Sequence, residues 1–280
     1  MKRAAVVVGV DKTGTLPKLH AAASGAEKFA AWARAQSFDV ELITDQSLDP
    51  VDVSSIKKAI KKFVEAGTYS QLVVYFSGHG VLRGPDYELW LLSGAPSDPN
   101  EAVVVPQSIY HARNSGIPHI VFVSDACRSI PDSPLLNAVT GSSIFPNQVA
   151  SPKRPEVDVF YATLPGDPAY EVSAKEAAKN YRALFTKCLL DGLKNPPAEV
   201  VEHQDEPPPP RWVIPTWTMK KYLEEKVPLA AEVISIQLVQ SPDIRVESHK
   251  PNYLVRTGGT SSATRSQRGI LGRVLSGELL

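Results

Sequence analysis

The chain has 280 residues, with 30 Lys and Arg against 30 Asp and Glu and a formal charge of zero at neutral pH. That balance argues against broad nucleic-acid or anionic-membrane binding, which calls for a basic excess on one face. Hydrophobic residues at 43% and two cysteines describe a globular protein without a disulfide framework, for which a reducing cytoplasm is the expected compartment.

Ala4 to Val10 is a β-branched run closed by a Gly/Asp/Thr-rich loop through Thr15, which predicts a buried strand; its onset lacks the form of a signal peptide. Ser24-Gly25-Ala26-Glu27 has the S-x-x-E form of a capping box. Ala26, Phe29, Ala30 and Ala33 follow at helical spacing, so a helix is predicted to about Gln36. Val40 to Ile43 is a second strand. Ser54 or Ser55 opens a helix with Ile56, Ala59, Ile60, Phe63 and Val64 inward, Lys57, Lys58, Lys61 and Lys62 outward, and Gly67 as its stop. Leu72 to Phe76 and Ile120 to Val123 are buried strands that deliver small polar clusters, Ser77-Gly78-His79-Gly80 and Ser124-Asp125-Ala126-Cys127.

Pro131 to Pro155 has no period and reads as a long exposed loop. Val157 to Ala162 resumes strand character. Ser173 to Leu193 predicts one helix with Ala177, Leu184, Phe185, Cys188 and Leu189 buried. Asn195 to Arg211, with four consecutive prolines, is expected to be an extended solvated loop. Met219 to Val227 predicts a short helix and Val233 to Val239 a last strand, and the residues from Thr257 onward a flexible tail, in which Ile270, Leu271, Val274 and Leu275 have the spacing of a docking helix. No stretch reaches the roughly 18 apolar residues of a membrane helix. Strands alternating with helices predict an α/β fold with a mainly parallel sheet, and in such sheets ligands bind outside the carboxyl ends of the strands.

Both polar clusters stand at such ends. A cysteine nucleophile needs a base, because the thiolate is the reactive form, and histidine suits the task with its near-neutral pKa. His79 and Cys127 are separated by 48 residues, and two neighbouring parallel strands would bring them to one sheet edge. Gly78 and Gly80 allow close backbone approach and leave an N–H to face a developing oxyanion. For a cysteine alone the plain alternative is a small buried hydrophobe, which is the reading for Cys188. His20, His111, His119, His203 and His249 have no metal-like spacing and are expected to be structural or solvated.

Val73-Val74-Tyr75-Phe76-Ser77-Gly78-His79-Gly80 and Val123-Ser124-Asp125-Ala126-Cys127-Arg128 together resemble the histidine and cysteine motifs of the caspase-like cysteine peptidases of the C14 family, in particular their prokaryotic and metacaspase branches. That family's signature is Q-A-C followed by R, Q or G and then G, with the histidine about 50 residues upstream. Here Asp125 replaces Gln and Ser129 replaces Gly. The resemblance implies an α/β caspase-like three-layer α/β/α sandwich with a mainly parallel central sheet of about six strands. It also implies one peptidase domain over 1–256: a large-subunit-like part to 130, a linker at 131–155 and a small-subunit-like part from 156, followed by a tail at 257–280.

By the same resemblance, Cys127 would form a thioester and His79 would move the proton, with the N–H groups of Gly80 and Cys127 as oxyanion hole. No side chain that orients His79 is identified, and a backbone carbonyl can serve. Asp125, two residues before the nucleophile, would bind a basic side chain and direct cleavage after Arg or Lys. Against this stand a turn-capping or Arg128-pairing role for Asp125, Asp specificity, and Gly25 in the place where relatives carry a second acid. Lys153 and Arg154 are a candidate processing site for an upstream protease, or an ordinary exposed pair. The implied partner is a protein or peptide substrate in a regulated bacterial defence or cell-death cascade. A catalytically silent interaction module of the same fold is the alternative. No cofactor, metal, nucleic acid or membrane is implied, and Ca²⁺ dependence and the choice between monomer and homodimer stay open.

Overall fold

The computed structural model describes residues 2–46, 49–148, 154–169, 171–173, 181–205, 209–234 and 239–257. The first half runs β1 (Lys2–Gly9), α1 (Ala22–Ala35), β2 (Asp39–Thr44), α2 (Val53–Glu65), β3 (Tyr69–Gly78), β4 (Gly80–Leu82), β5 (Glu88–Leu91), β6 (Ala102–Val104), α3 (Val105–Ala112) and β7 (His119–Ala126). The second half runs α4 (Pro134–Ala138), β8 (Glu156–Tyr161), β9 (Glu171–Ser173), β10 (Tyr181–Ala183), α5 (Leu184–Lys194), β11 (Glu202–Gln204), β12 (Arg211–Ile214), α6 (Thr216–Ile234), β13 (Asp243–Arg245) and β14 (Val255–Thr257).

Six strands form the central sheet in the order β13-β8-β7-β3-β1-β2. All its pairings are parallel except β13 on β8, which is antiparallel. Strands covered on both faces lose the alternation of a one-sided strand and become continuous apolar runs. That is why Ala4–Val8, Leu72–Phe76 and Ile120–Val123 are legible as strands. Along them the pleat sends Val7, Val73, Tyr75, Val121 and Val123 to a layer formed by α1, α5 and α6. Val6, Val8, Val74, Phe76, Ile120 and Phe122 go to the opposite layer with α2. The result is the predicted three-layer sandwich.

Several local expectations are corrected. Ser24 does not cap α1: the helix begins at Ala22, and Ser24 lies inside it, its Oγ donating to Ala21 O. The cap comes instead from Asp11, whose Oδ1 accepts the Ala23 N–H at 2.9 Å. Helix α2 begins at Val53, ahead of the expected opening at Ser54 or Ser55, because Asp52 accepts the Ser55 N–H at 2.7 Å. The helix expected from Ser173 begins only at Leu184, preceded by the β9–β10 hairpin; Ala177 lies outside the described residues. Leu184, Phe185, Cys188 and Leu189 are buried as expected.

Within 131–155 the short helix α4 breaks the expected loop, and within 195–211 strand β11 pairs with β12. Helix α6 continues to Ile234 through Pro228, where the sequence predicts an end at Val227. Proline removes one helical hydrogen bond, but Leu223, Val227 and Ala231 stay buried in one stripe, and that packing carries the helix onward. Val233 and Ile234, where a last strand is expected to begin, belong to α6, and 235–238 lie outside the described residues; among the described residues the last strand of this sheet is β13. Residues 258–280, with the tail's apolar positions, lie outside the described residues.

Candidate active site

The register of β3 against β7 pairs Ser77 with Asp125 and Gly78 with Ala126, so His79 and Cys127 are the next residues off the same sheet edge. With Leu19, Ser77, Gly78, Asp125, Ala169 and Ala183 they line one open crevice. Both are partly exposed, while the strand residues behind them are buried.

A polar strut holds the imidazole. Its Nε2 lies 2.7 Å from the carbonyl oxygen of Pro17. A carbonyl only accepts, so Nε2 carries the hydrogen and Nδ1 is left to take up a second proton. The loop that presents Pro17 is itself pinned. Asp45, buried at the end of β2, accepts the N–H groups of Asp11 at 3.0 Å and Lys12 at 2.6 Å. The Leu19 N–H closes the loop on Asp11 O at 2.9 Å. Pro17 carries no sequence signal of this role, since its side chain takes no part in the bond.

The cysteine segment is fastened by the residue after it. Arg128 is almost wholly buried, ion-paired with Glu88 of β5 and, at 2.8 Å, with Asp243 of β13; its guanidinium sits 4.2 Å from the centre of the Tyr161 ring. It also donates to Thr163 O at 3.1 Å, and its own backbone bonds Asp167 and Gly166. Burial pushes the Glu88 carboxyl up against the downward pull of Arg128, and burial with the Glu88 charge pushes the Tyr161 phenol well up. The partners of the Arg128 guanidinium are thus Glu88, Asp243 and the Thr163 carbonyl. The Cys127 sulfur is itself in contact with Ala169, whose N–H donates to it at 3.3 Å.

Gly80 sits where the two segments touch. A Cβ there would stand 2.5 Å from the Cys127 carbonyl oxygen and 3.0 Å from the Ala126 Cβ, so no other residue fits without displacement. Strand β4 uses alternate positions on its two edges. Leu91 N–H donates to His79 O on the β5 side, and Leu82 N–H donates to Ser129 O on the cysteine side. Gly80, two residues from Leu82, presents its N–H to that same cysteine side.

Asp125 is buried beneath the crevice. Its Oδ2 accepts the Thr186 N–H at 3.0 Å and the Thr186 hydroxyl at 2.5 Å. Thr186 is the third residue of α5, so the carboxylate serves as a cap supplied by another strand, where a helix N-terminus favours negative charge. Tyr75 completes the set, its hydroxyl 2.5 Å from the Thr186 Oγ1; burial first, and the Asp125 charge second, raise its phenol far above the ordinary value. Gly25 lies above this cluster, where a Cβ would meet Tyr75 OH at 3.4 Å. Arg154 is exposed and away from the crevice, and Lys153 lies outside the described residues.

A caspase-domain profile matches residues 2–204. The chain belongs to the caspase-domain family. Its members are cysteine peptidases of the C14 class, so the fold and the motif resemblance agree with the family match. Among solved structures the fold is similar to a protein of Geobacter sulfurreducens at 16% identity and a TM-score of 0.61, covering 93% of this chain and 99% of that one. It is also similar to caspase-1 of Spodoptera frugiperda at 14% identity and a TM-score of 0.56, covering 88% of each chain. A search of the curated proteins returns no match. Within this caspase-domain chain no group of three or more His, Cys, Asp and Glu among the described residues could hold a metal, and no helix among them is long and apolar enough to cross a membrane.

Proposed function

We propose that this chain is a cysteine endopeptidase acting through His79 and Cys127 on protein substrates, with cleavage after Arg or Lys. The observation that supports the reading is the register of β3 and β7, which brings His79 and Cys127 off the same sheet edge into the lining of one crevice, with Pro17 O accepting from the imidazole.

The Cys127 thiol gives its proton to His79 Nδ1 and the thiolate attacks the scissile carbonyl carbon. The carbonyl π pair moves to oxygen, which the N–H groups of Gly80 and Cys127 receive; one such donor is worth about 10²–10³ in rate. Collapse breaks the C–N bond, Nδ1 returns the proton to the leaving amine, and a thioester remains. Water then loses a proton to Nδ1 and attacks the thioester. The sulfur leaves, regains its proton, and the acid product is released. Pro17 O stabilises the doubly protonated imidazole formed in each half of the cycle.

Asp125 supports the basic specificity, since a buried carboxylate lining the crevice favours an ammonium or guanidinium by charge-assisted hydrogen bonding. Exposure of Arg154 supports access for activation by cutting within 147–154. Kinship alone supports a regulated bacterial defence or cell-death role. Reporter peptides with Arg, Lys or Asp before the scissile bond test the reading: turnover after Arg or Lys that disappears in Cys127→Ala and His79→Ala is expected. Preferred turnover after Asp would overturn the specificity, and turnover surviving in Cys127→Ala would overturn the chemistry.

A further inference from the structure

A second depression adjoins the catalytic crevice and is the larger of the two, about 630 Å³ of open volume against about 360 Å³. It runs between the first turns of α1, at Ala21, Ser24, Gly25 and Lys28, and the outer face of α5, at Thr186, Lys187, Asp191 and Lys194. Ala183 lines both depressions, so the two lie on either side of one residue. Gly25 lines the groove opposite Thr186, where a Cβ would come within 3.6 Å of the Thr186 Cγ2.

Its charge is opposite to that of the crevice. Lys187 is paired with Asp191 at 2.9 Å, whereas Lys28 and Lys194 have no ion-pair partner among the described residues. The groove thus presents three ammonium groups against one carboxylate. Asp125, the anion of the crevice, is shielded from the groove by Thr186, whose N–H and hydroxyl both donate to it. A substrate lying across Ala183 therefore meets a negative floor at one point and a positive wall beside it.

We propose that the α1–α5 groove is an extended substrate subsite that takes acidic side chains near the scissile bond, with Lys28 and Lys194 as its specificity-determining residues. This deepens the peptidase reading and rests on it for turnover, though not for binding. The preferred substrate has a basic residue before the cleaved bond and Asp or Glu within a few residues on one side of it. Mixed charge of this kind discriminates more sharply than a basic residue alone, because a uniformly basic segment is attracted by Asp125 and repelled by the groove.

The test uses the full chain with Cys127→Ala and fluorescent peptides of one sequence in which the residues flanking a single Arg are Glu, Gln or Lys. The Glu peptide is expected to bind about three- to tenfold more tightly than the Gln peptide, the range for one or two exposed charge pairs, and the Lys peptide more weakly. Raising the salt to about 0.5 M should remove most of the difference. In a Lys28→Glu, Lys194→Glu background the order of the Glu and Lys peptides should reverse; should that variant fail to fold, Lys28→Gln with Lys194→Gln should erase the order. Equal affinity for the Glu and Gln peptides, or an unchanged order in a folded charge variant, overturns the proposal. Turnover of the Gln peptide by wild type is scored separately: if it is absent while the charge preference persists, the peptidase reading fails and the groove stands.

Discussion

At one edge of the central sheet His79 and Cys127 face an open crevice; at the opposite edge the same strand β7 begins with His119, sealed against Asp158 of β8. The buried pair is in direct hydrogen-bond contact. His119 Nε2 lies 3.0 Å from Asp158 Oδ2 and Nδ1 lies 3.1 Å from Gln71 Nε2, while Ser248 donates its hydroxyl to the same carboxylate at 2.5 Å. Asp158 Oδ1 takes the backbone N–H groups of Glu247 and Ser248 at 2.8 and 2.9 Å. A Ser, a His and an Asp in contact would pass for a catalytic set on a list of distances. Every acceptor of that carboxylate is already engaged, and none of the three side chains is open to solvent. At the other edge, His79 keeps Nδ1 for a proton and Cys127 stays partly exposed. Closure of the hydrogen-bond network, more than proximity, distinguishes a cluster that holds the fold together from the open pair proposed to do chemistry.

Swapping the removal experiment between the two ends gives the largest contrast. Cys127→Ala should lower peptide turnover by at least about 10³-fold with little change in melting temperature, as loss of a nucleophile does elsewhere. Asp158→Ala should instead cost about 3–5 kcal/mol by orphaning buried partners, a fall of roughly 6–20 °C at the usual sensitivity for a domain of this size. Calorimetry with turnover on the same samples decides it; a stable Asp158→Ala protein without activity would place chemistry at the wrong end. Next in size is the floor of the crevice. Asp125→Asn should reduce kcat/KM for an Arg peptide about ten- to a hundredfold relative to a norleucine peptide, the scale of one charge-assisted bond. An equal fall for both peptides would mean that Asp125 acts only as the cap of α5.

Acid sharpens the comparison further. Burial raises the Asp158 carboxyl, but the His119 bond and charge and the two bonds from Ser248 outweigh it and hold it below the ordinary carboxylate value. The folded state therefore binds fewer protons than the unfolded one there. Its stabilising contribution is full above about pH 4 and is lost as pH falls through the depressed value. Asp158→Asn should flatten that acid limb of the denaturation midpoint, and an unchanged slope would count against the network. The smallest effect is chemical labelling. Burial pushes the Cys188 thiol up to about 11, so iodoacetamide near neutral pH should modify Cys127 and leave Cys188 intact in the folded chain. Peptide mapping reads the outcome; equal labelling would show that burial does not separate the two thiols.

The strands that carry the site were legible because they are covered on both faces and the residues after them are chemically distinctive. The supports were not. Pro17 acts through its carbonyl, which every residue possesses. Asp11 caps α1 across the loop between them, a contact that the local Ser24-x-x-Glu27 pattern misdescribes. Strands β4, β5 and β6 have three or four residues each, too few to show a period, and β13 depends on pairing with β8. Asp125 was legible as an acid by the crevice, but its second duty at α5 required knowing which helix turn lies over it. Ala183 and Leu19 line the crevice with ordinary apolar side chains, and composition gives such positions no mark.

The missing side chain at Gly80 couples two stretches of backbone that are far apart in the chain. With the Cys127 carbonyl at 2.5 Å from where a methyl would sit, the peptide after the imidazole and the peptide carrying the thiol form one geared surface. Neither can advance toward a substrate, or retreat from it, without carrying the other along.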